Sequence, residues 1–396
     1  MAVRIRTVTI GVGEPHPLSD AALDRAVKLL HAAQSAYQAA GFEVQTQRIS
    51  TRPLFQDRLH ARDAEIMNYV NSLQERCDQR GITYLSLGPV LADDPKMPVE
   101  RINLLPEMLA PNPALNATVQ IASVANGVRL ESVVPTARVV QKLATQTEYG
   151  LGNMRFAMVA NCPQRGPFFP AAYQPDSDWG FSIGLQSAYL VRDALRAAVQ
   201  ESKPGPLALV SLGQQLTAAL EREGRVIAEI ATKLATEHRT PYNGLDLSPA
   251  PNGEESIADA IEALGLGLFG DPGTLIVVAA ITSVLKNTTL KTCGYNGLFL
   301  PVLEDAGIAR RIANNNINIP ALLLYSSVCG SGLDTIPIAG DTPIERIAAT
   351  MLDVATLSSR LNKPLSARLM PVVGKKAGEI ADFHSPWLIN APIMTL

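Results

Sequence analysis

Segments with the two-residue alternation of a β-strand and segments with the 3.6-residue period of a helix follow each other along almost the whole chain. The pattern is regular at the start, where strands are predicted over residues 3–10, 42–50 and 82–87 with helices between them. About ten strands are predicted in all, and nearly all are separated by helices. Parallel strands require such crossovers, so the pattern predicts a single α/β domain over residues 1–396, either an open doubly wound sheet or a closed α/β barrel.

Composition excludes several classes of protein. The chain is 47% hydrophobic and carries a net charge of −3 without a basic run, so we expect no binding to nucleic acid. Its four cysteines are scattered and form no C-x-x-C pair, which is typical of a reducing cytoplasm. Residues 1–6 have no signal-peptide core, and the most apolar helix, predicted over 274–285, is shorter than the ~20 residues that cross a bilayer. We therefore expect a cytoplasmic protein without a membrane span.

Two segments of the chain resemble each other and concentrate residues that a packed core does not need. They cover residues 292–298 and 328–334, and each combines Cys-Gly with a second glycine and a leucine, followed by a proline and acids. Glycines beside cysteines and acids are typical of places where the backbone approaches a ligand. We predict the active site within residues 291–341, which contain both segments.

Cys329 and Cys293 are the candidate reactive thiols. A buried strand is predicted over 321–327, and Cys329 follows it directly, before the turn Gly330–Gly332. Backbone N–H groups of such a turn would lower the pKa of a thiol and bind an oxyanion, and Lys291 would favour the thiolate of Cys293. The alternative is that both cysteines are small buried residues at tight turns, and the sequence leaves the two interpretations open.

Asp334 is the candidate general base or ligand, because it is predicted in a turn with no helix to cap. Asp305 and Asp341 precede predicted helices, and N-capping is the favoured interpretation for both. With Glu304, these carboxylates would suit a hard divalent cation, so we leave a cation open and assign no metal ligand. The chain has no H-x-x-x-H spacing typical of zinc.

Lys375 and Lys376 are candidate anion contacts. They lie between Gly374 and Gly378, which allow backbone N–H groups to surround a carboxylate or phosphate, and Arg368 on the preceding predicted strand could pair with the same anion. The alternative is a solvated basic turn.

Four of the segments rich in polar and glycine residues are predicted to follow strands, at residues 161–163, 246–248, 329–332 and 374–376. In α/β folds ligands bind where strands end, so we expect these segments to meet.

The same segments resemble a bacterial and archaeal family called domain of unknown function 711, or uncharacterised protein family 0210. The matching motifs cover nearly the whole chain, at residues 153–156, 166–171, 244–248, 292–305, 329–335, 340–342 and 363–378. Within these motifs we predict substrate contacts at Asn153, Arg155, Asp246, Gly330 and Gly332.

The resemblance implies a ten-stranded α/β barrel similar to that of pyruvate formate-lyase and the ribonucleotide reductases. In those enzymes a cysteine inside the barrel carries a thiyl radical, and Cys329 or Cys293 would take its place. A stored glycyl radical is not expected here, because the Arg-Val-x-Gly-Tyr motif of those enzymes is absent.

The sequence therefore predicts an enzyme that acts on a small anionic metabolite inside the barrel. Cys329 would be the nucleophile or redox thiol with Cys293 as its partner, Asp334 the base or a ligand, and Arg368, Lys375 and Lys376 would hold the anion. The alternative function is a non-catalytic small-molecule sensor that uses the same pocket. In either case we expect a homo-oligomer.

Overall fold

The computed structural model describes residues 4–396, so Val3, where the first strand is predicted to begin, lies outside the described residues. The strands are β1 (Arg4–Gly11), β2 (Val44–Ser50), β3 (Leu85–Leu91), β4 (Leu115–Ser123), β5 (Gly127–Val128), β6 (Phe156–Ala160), β7 (Gly180–Gln186), β8 (Tyr242–Asp246), β9 (Gly332–Ala339), β10 (Leu365–Val372), β11 (Ile380–Ala381) and β12 (Ala391–Pro392). The helices are α1 (Asp20–Ala39), α2 (Leu54–Asp57), α3 (Asp63–Asp78), α4 (Leu105–Leu109), α5 (Val133–Gln146), α6 (Ala188–Ser202), α7 (Ala208–His238), α8 (Ile257–Glu262), α9 (Thr274–Lys286), α10 (Ala306–Ala313), α11 (Ile319–Ser326) and α12 (Ile344–Leu361). Three 3₁₀ segments cover Val99–Leu104, Leu130–Ser132 and Glu148–Arg155.

Helix α1 shows how the predicted pattern becomes structure. Ser19 caps it, because its side-chain oxygen accepts a hydrogen bond from the backbone of Ala22 at 3.1 Å. Leu23, Ala26 and Leu30 recur at helical spacing and are buried against the sheet. The helix therefore forms because its cap and its apolar stripe agree.

The centre of the molecule is a ten-stranded sheet in the order β8-β7-β1-β2-β3-β4-β6-β10-β9, with β5 beside β4. The prediction of an α/β fold with about ten strands is confirmed. Most neighbouring strands of the sheet are parallel, but β1 pairs with β7, and β6 with β10, in antiparallel fashion. The connection from β6 to β7, residues 161–179, contains no crossover helix.

The strand directions decide which loops can meet. The end of β6 lies beside the start of β10, with Ala160 opposite Leu365. The turn after β10, residues 374–376, therefore lies at the opposite end of the strands from residues 161–163. The prediction that all four polar segments meet is wrong for this turn.

Residues 321–326 are helical, as part of α11, and the strand predicted over 321–327 is wrong. Asn318 caps this helix by accepting from the backbone of Ala321 at 2.9 Å, and Pro320 occupies its first turn. Cys329 consequently precedes a strand instead of following one, and Asp334 lies on β9 instead of in a turn.

The two predicted helix caps have different outcomes. Asp305 caps α10 by accepting from the backbone of Ile308 at 3.1 Å, as predicted. Helix α12 begins after Pro343 and has no side-chain cap, so the predicted role of Asp341 is wrong.

Residues 291–302 contact both edge strands of the sheet. The backbone N–H of Leu245 on β8 donates to the carbonyl of Lys291 at 2.9 Å, and that of Val302 donates to the carbonyl of Asp334 on β9 at 3.1 Å. These contacts are isolated bridges. Among residues 4–396, pairing between the strands does not close the sheet into a ring, because β8 and β9 are not paired with each other.

Among residues 4–396, no helix is both long enough and apolar enough to cross a membrane.

Candidate functional site

A cavity of about 510 Å³ lies on one face of the sheet. Residues near the starts of β1, β2 and β4 line it, together with Asp334 on β9, Arg368 on β10 and residues of the C-terminal tail. Its volume is within the ~300–1,000 Å³ of small-molecule sites. The charged residues of the lining are Arg6, Asp78, Arg48, Arg155, Glu304, Asp334 and Arg368.

The strands place polar side chains in the cavity through their two-residue period. On β1, Arg6 faces the cavity while Ile5 is fully buried on the other side, and on β2 Arg48 faces it while Ile49 is fully buried. An arginine at an inward position of a strand is therefore a feature of the site and not of the solvent-exposed surface.

Two carboxylates in the cavity are paired with guanidinium groups. Arg368 donates from Nε to Oδ1 of Asp334 at 2.7 Å and from Nη2 to Oε1 of Glu304 at 3.2 Å. Arg6 donates from Nη2 to the other oxygen of Glu304 at 3.4 Å. Burial opposes the charge of Arg368, yet the neighbouring carboxylates outweigh burial and raise its pKa.

Arg48 faces the same cavity without a carboxylate partner among residues 4–396. Its Nε donates to Oγ1 of Thr46 at 3.1 Å, which leaves the two Nη groups free to donate into the cavity. The residue is only 9% exposed, and its guanidinium carbon lies 5.3 Å from the ring centre of Tyr84 and 5.2 Å from that of Phe169. Burial, with repulsion from Arg6, lowers its pKa to about 9, so it is still cationic at neutral pH.

The cavity carries a surplus of positive charge. Four arginines line it, whereas of the three carboxylates Asp78 is exposed at the rim and only Glu304 and Asp334 are shielded from solvent. Arg155 is the fourth arginine, and its Nη1 donates to the backbone carbonyls of Leu109, Asn112 and Leu115 at 2.7, 2.9 and 3.0 Å. Burial lowers the pKa of Arg155 to about 10. Arg155 fixes local backbone, so Arg48 is the cation best placed to meet a ligand.

The two candidate thiols do not line this cavity. Cys329 is 1% exposed, and its carbonyl accepts a hydrogen bond from Nζ of Lys363 at 2.5 Å. Cys293 is half-buried, and burial together with the charge of Asp246 raises the pKa of its thiol. A raised pKa opposes thiolate formation at neutral pH.

Contact between the two similar segments explains one glycine of each, Gly297 and Gly330. A side-chain carbon added at Gly330 would lie 2.5 Å from the backbone of Gly297, so only glycines allow the two chains to approach this closely. Gly332 has φ = +90°, and an added carbon there would lie 2.5 Å from the carbonyl of Ser366. Neither Gly330 nor Gly332 lines the cavity.

Asp246 and Asn153 both bind backbone groups. Asp246 is fully buried and accepts from the backbone N–H groups of Tyr295 at 2.7 Å and Asn296 at 3.1 Å, and burial raises its pKa. Asn153 is also fully buried and donates from Nδ2 to the carbonyl of Val140 at 3.0 Å. Both lie outside the lining of the cavity.

Lys375 and Lys376 lie in a turn at the surface and do not line the cavity. Nζ of Lys375 donates to the carbonyl of Ile380 at 2.6 Å, and the backbone N–H of Lys376 donates to Oε2 of Glu379 at 2.5 Å.

Three of the four polar segments predicted to meet do meet, around Tyr295. Cys162 packs in one apolar cluster with Tyr295, and Asp246 accepts from the Tyr295 backbone. A small cavity of about 30 Å³ is lined by Tyr295, Ser331 and Asp334, and it shares Asp334 with the large cavity. The Oγ atom of Ser331 is buried there without a partner among residues 4–396.

Arg6, Arg48 and Tyr84 are site residues that the sequence did not identify. The available signal was an arginine alternating with apolar residues, as in Arg6 beside Ile5 and Arg48 beside Ile49. No group of three or more His, Cys, Asp or Glu side chains that could hold a metal ion occurs in residues 4–396.

These features define a mixed α/β protein with a ten-stranded sheet and a charged cavity on it. A family model described as Uncharacterised ACR (DUF711) matches residues 1–384, and the chain belongs to that family, as its motifs predict.

Curated relatives cover almost the full chain. UPF0210 proteins of Oenococcus oeni and Desulfovibrio desulfuricans are each 28% identical to it, over 98% and 96% of this chain and 90% and 88% of their own lengths. The UPF0210 protein of Halothermothrix orenii is 26% identical over 98% of this chain and 90% of its own. Among solved structures, an anaerobic ribonucleotide reductase is similar with a TM-score of 0.35 and 10% identity, over 98% of this chain and 76% of its own.

Proposed function

We propose that this protein binds a small anionic molecule in the 510 Å³ cavity, with Arg48 as the principal contact. The observation that carries the proposal is a buried guanidinium with two free Nη groups and no carboxylate partner within residues 4–396. A buried charge without a partner is costly, so a bound anion would stabilise the site. A protein that binds this anion without catalysing a reaction would require no other feature of the cavity lining.

We also propose that the sheet is wrapped into a barrel around this cavity. Residues 291–302 support this, because they bond to β8 at one end and to β9 at the other. A barrel would have no free sheet edge at these two strands. A cytoplasmic homo-oligomer remains the prediction of the sequence for location and assembly.

An enzyme is the second candidate function, and the position of Asp334 favours it. Asp334 lines both cavities, and while its Oδ1 accepts from Arg368, its other oxygen has no hydrogen bond among residues 4–396. That oxygen could accept a proton from a bound ligand. A version that relies on Cys329 or Cys293 has less support, since neither thiol lines the large cavity.

Anion binding is tested by thermal unfolding of the full chain with acetate, benzoate or inorganic phosphate. The variants are Arg48→Met, which removes the charge and keeps an apolar stem, and Arg138→Met on the exposed face of α5 as the control. We expect at least one of these anions to raise the melting temperature of the wild type and of the control, and to leave that of Arg48→Met unchanged. No shift with any anion, or an equal shift in Arg48→Met, would overturn the proposal.

A further inference from the structure

We infer that the ligand is a monocarboxylate with an apolar, ring-sized body, and not a phosphate ester or a dicarboxylate. This inference rests on the proposed anion binding and names the chemical class that the cavity selects. It combines the charge of the cavity, the geometry of Arg48 and the chemistry of the walls.

The charge of the cavity favours one negative charge on the ligand. Among residues 4–396, Arg48 is the one arginine of the lining whose two Nη groups both lack an acceptor, and the carboxylates of Glu304 and Asp334 already have guanidinium partners. The second negative charge of a dianion would lie beside these two carboxylates without a free guanidinium of its own. Because an unpaired buried charge is strongly unfavourable, a dicarboxylate or a phosphate monoester should bind more weakly than a monoanion.

The geometry of Arg48 favours a planar carboxylate. Nε is occupied by Thr46, whose own hydroxyl donates to the carbonyl of Arg6 at 2.7 Å, so the guanidinium is held from behind. Its central carbon lies 5.3 Å from the centre of the Tyr84 ring and 5.2 Å from the centre of the Phe169 ring. The parallel Nη groups that remain match the two oxygens of a carboxylate. A guanidinium fixed in advance loses little side-chain freedom on binding.

The walls of the cavity favour an apolar body on that carboxylate. Five aromatic side chains line it: Tyr84, Phe168, Phe169, Phe299 and Trp387. Phe168 and Phe299 are in edge-to-face contact, with ring centres 5.2 Å apart. Of the four arginines in the lining, Arg6, Arg155 and Arg368 already donate to protein oxygens, so Arg48 is the guanidinium that remains for a phosphate group. A carboxylate without an apolar body would leave the aromatic walls in contact with water.

Isothermal titration calorimetry on the full-length protein separates these contributions with five probes. The probes are phenylacetate, acetate, phenyl phosphate, inorganic phosphate and the uncharged 2-phenylethanol. We expect phenylacetate to bind at least tenfold more tightly than each of the other four. In Arg48→Met the affinity for phenylacetate should fall at least tenfold, and in the exposed control Arg138→Met it should be unchanged.

A second variant, Arg48→Lys, tests the paired-donor geometry apart from the charge. Lysine keeps the positive charge but cannot present two parallel donors, so phenylacetate should again bind at least tenfold more weakly than to the wild type. Affinity equal to the wild type would overturn the paired geometry, since charge alone would then suffice.

The possible failures are distinguishable. If phenyl phosphate or inorganic phosphate binds as tightly as phenylacetate or more tightly, with the Arg48 dependence kept, anion binding stands and the monocarboxylate inference is overturned. If acetate matches phenylacetate, the apolar body is overturned. If none of the charged probes binds, or Arg48→Met binds phenylacetate as the wild type does, both the inference and the proposed function are overturned.

Discussion

Three arginines that line the cavity show that the partners of a side chain, and not its type, determine its role. Arg368 is paired with two carboxylates, and its pKa is raised. Arg155 is bound to three backbone carbonyls and holds a loop. Arg48 has only a threonine oxygen and two aromatic rings as partners among residues 4–396. A protein that keeps such a charge without a partner loses stability, and a ligand would restore it.

Because His16 is buried, we expect the stability of the protein to depend on pH. His16 is bonded through its ring nitrogens to Tyr69 and Thr51 at 2.8 Å each, and burial lowers its pKa from 6.5 to about 4, although Asp57 opposes the shift. As the pH falls, His16 therefore binds a proton in the unfolded chain at a higher pH than in the folded chain. The stability that depends on neutral His16 is present above pH 6.5 and is lost towards pH 4. Between pH 7.5 and pH 5 the free energy of unfolding should fall by about 2 kcal/mol.

Urea unfolding at the two pH values measures the contribution of His16. The variant His16→Asn should have lower stability at pH 7.5 and lack this part of the pH dependence, whereas His60→Asn, at an exposed site, should keep it. A dependence in His16→Asn as steep as in the wild type would assign the effect to other groups.

At the element scale, the resemblance between the two Cys-Gly segments reflects how they pack on each other. Gly330→Ala would force a methyl group to within 2.5 Å of the backbone of Gly297, and we expect a loss of about 1–3 kcal/mol in the free energy of unfolding. The matched control is Gly213→Ala in α7, where nothing lies within 4 Å and alanine should stabilise the helix by about 0.5–1 kcal/mol. Denaturant titration of both variants gives the comparison, and a neutral Gly330→Ala would contradict the tight contact.

The sequence predicts individual elements better than it predicts how they are arranged. Local periodicity is enough to find β1 and α1, but it does not encode strand direction, which depends on contacts between distant residues. The strand predicted over 321–327 is wrong because its leucines suit a buried helix as well as a buried strand, and the Asn318 and Pro320 start signals decide for the helix.

The candidate site was predictable in part, for a related reason. Asp334 and Arg368 lie in motifs of the predicted site, and the structure places both in the cavity. Arg6 and Arg48 are more than 280 residues from Asp334 in the sequence (334 − 48 = 286) and reach it only through the order of the strands in the sheet. A site assembled from several strands leaves only a weak signal in each strand.

At the scale of the whole molecule, the sheet brings the two ends of the chain to one cavity. Glu304 accepts from Arg6 on β1 and from Arg368 on β10, so a single carboxylate connects the first strand of the chain with one close to its end. Residues 291–302, which precede Glu304, bond to both edge strands. The position of Glu304 in the cavity therefore depends on the integrity of the sheet.

The four cysteines provide a measure of that integrity across the molecule. Cys77, Cys162 and Cys329 are buried and Cys293 is half-buried, and burial raises the pKa of Cys77 to about 12 and also raises the pKa of Cys162 and Cys293. Alkylation requires an accessible thiolate, so at pH 7.5 we expect iodoacetamide to modify each native thiol at least about tenfold more slowly than in urea, with Cys293 the fastest of the four. Peptide mass spectrometry over a time course gives the four rates separately. Rapid native alkylation of Cys329, at the rate of a free thiol, would contradict this account and return that cysteine to the position of candidate nucleophile.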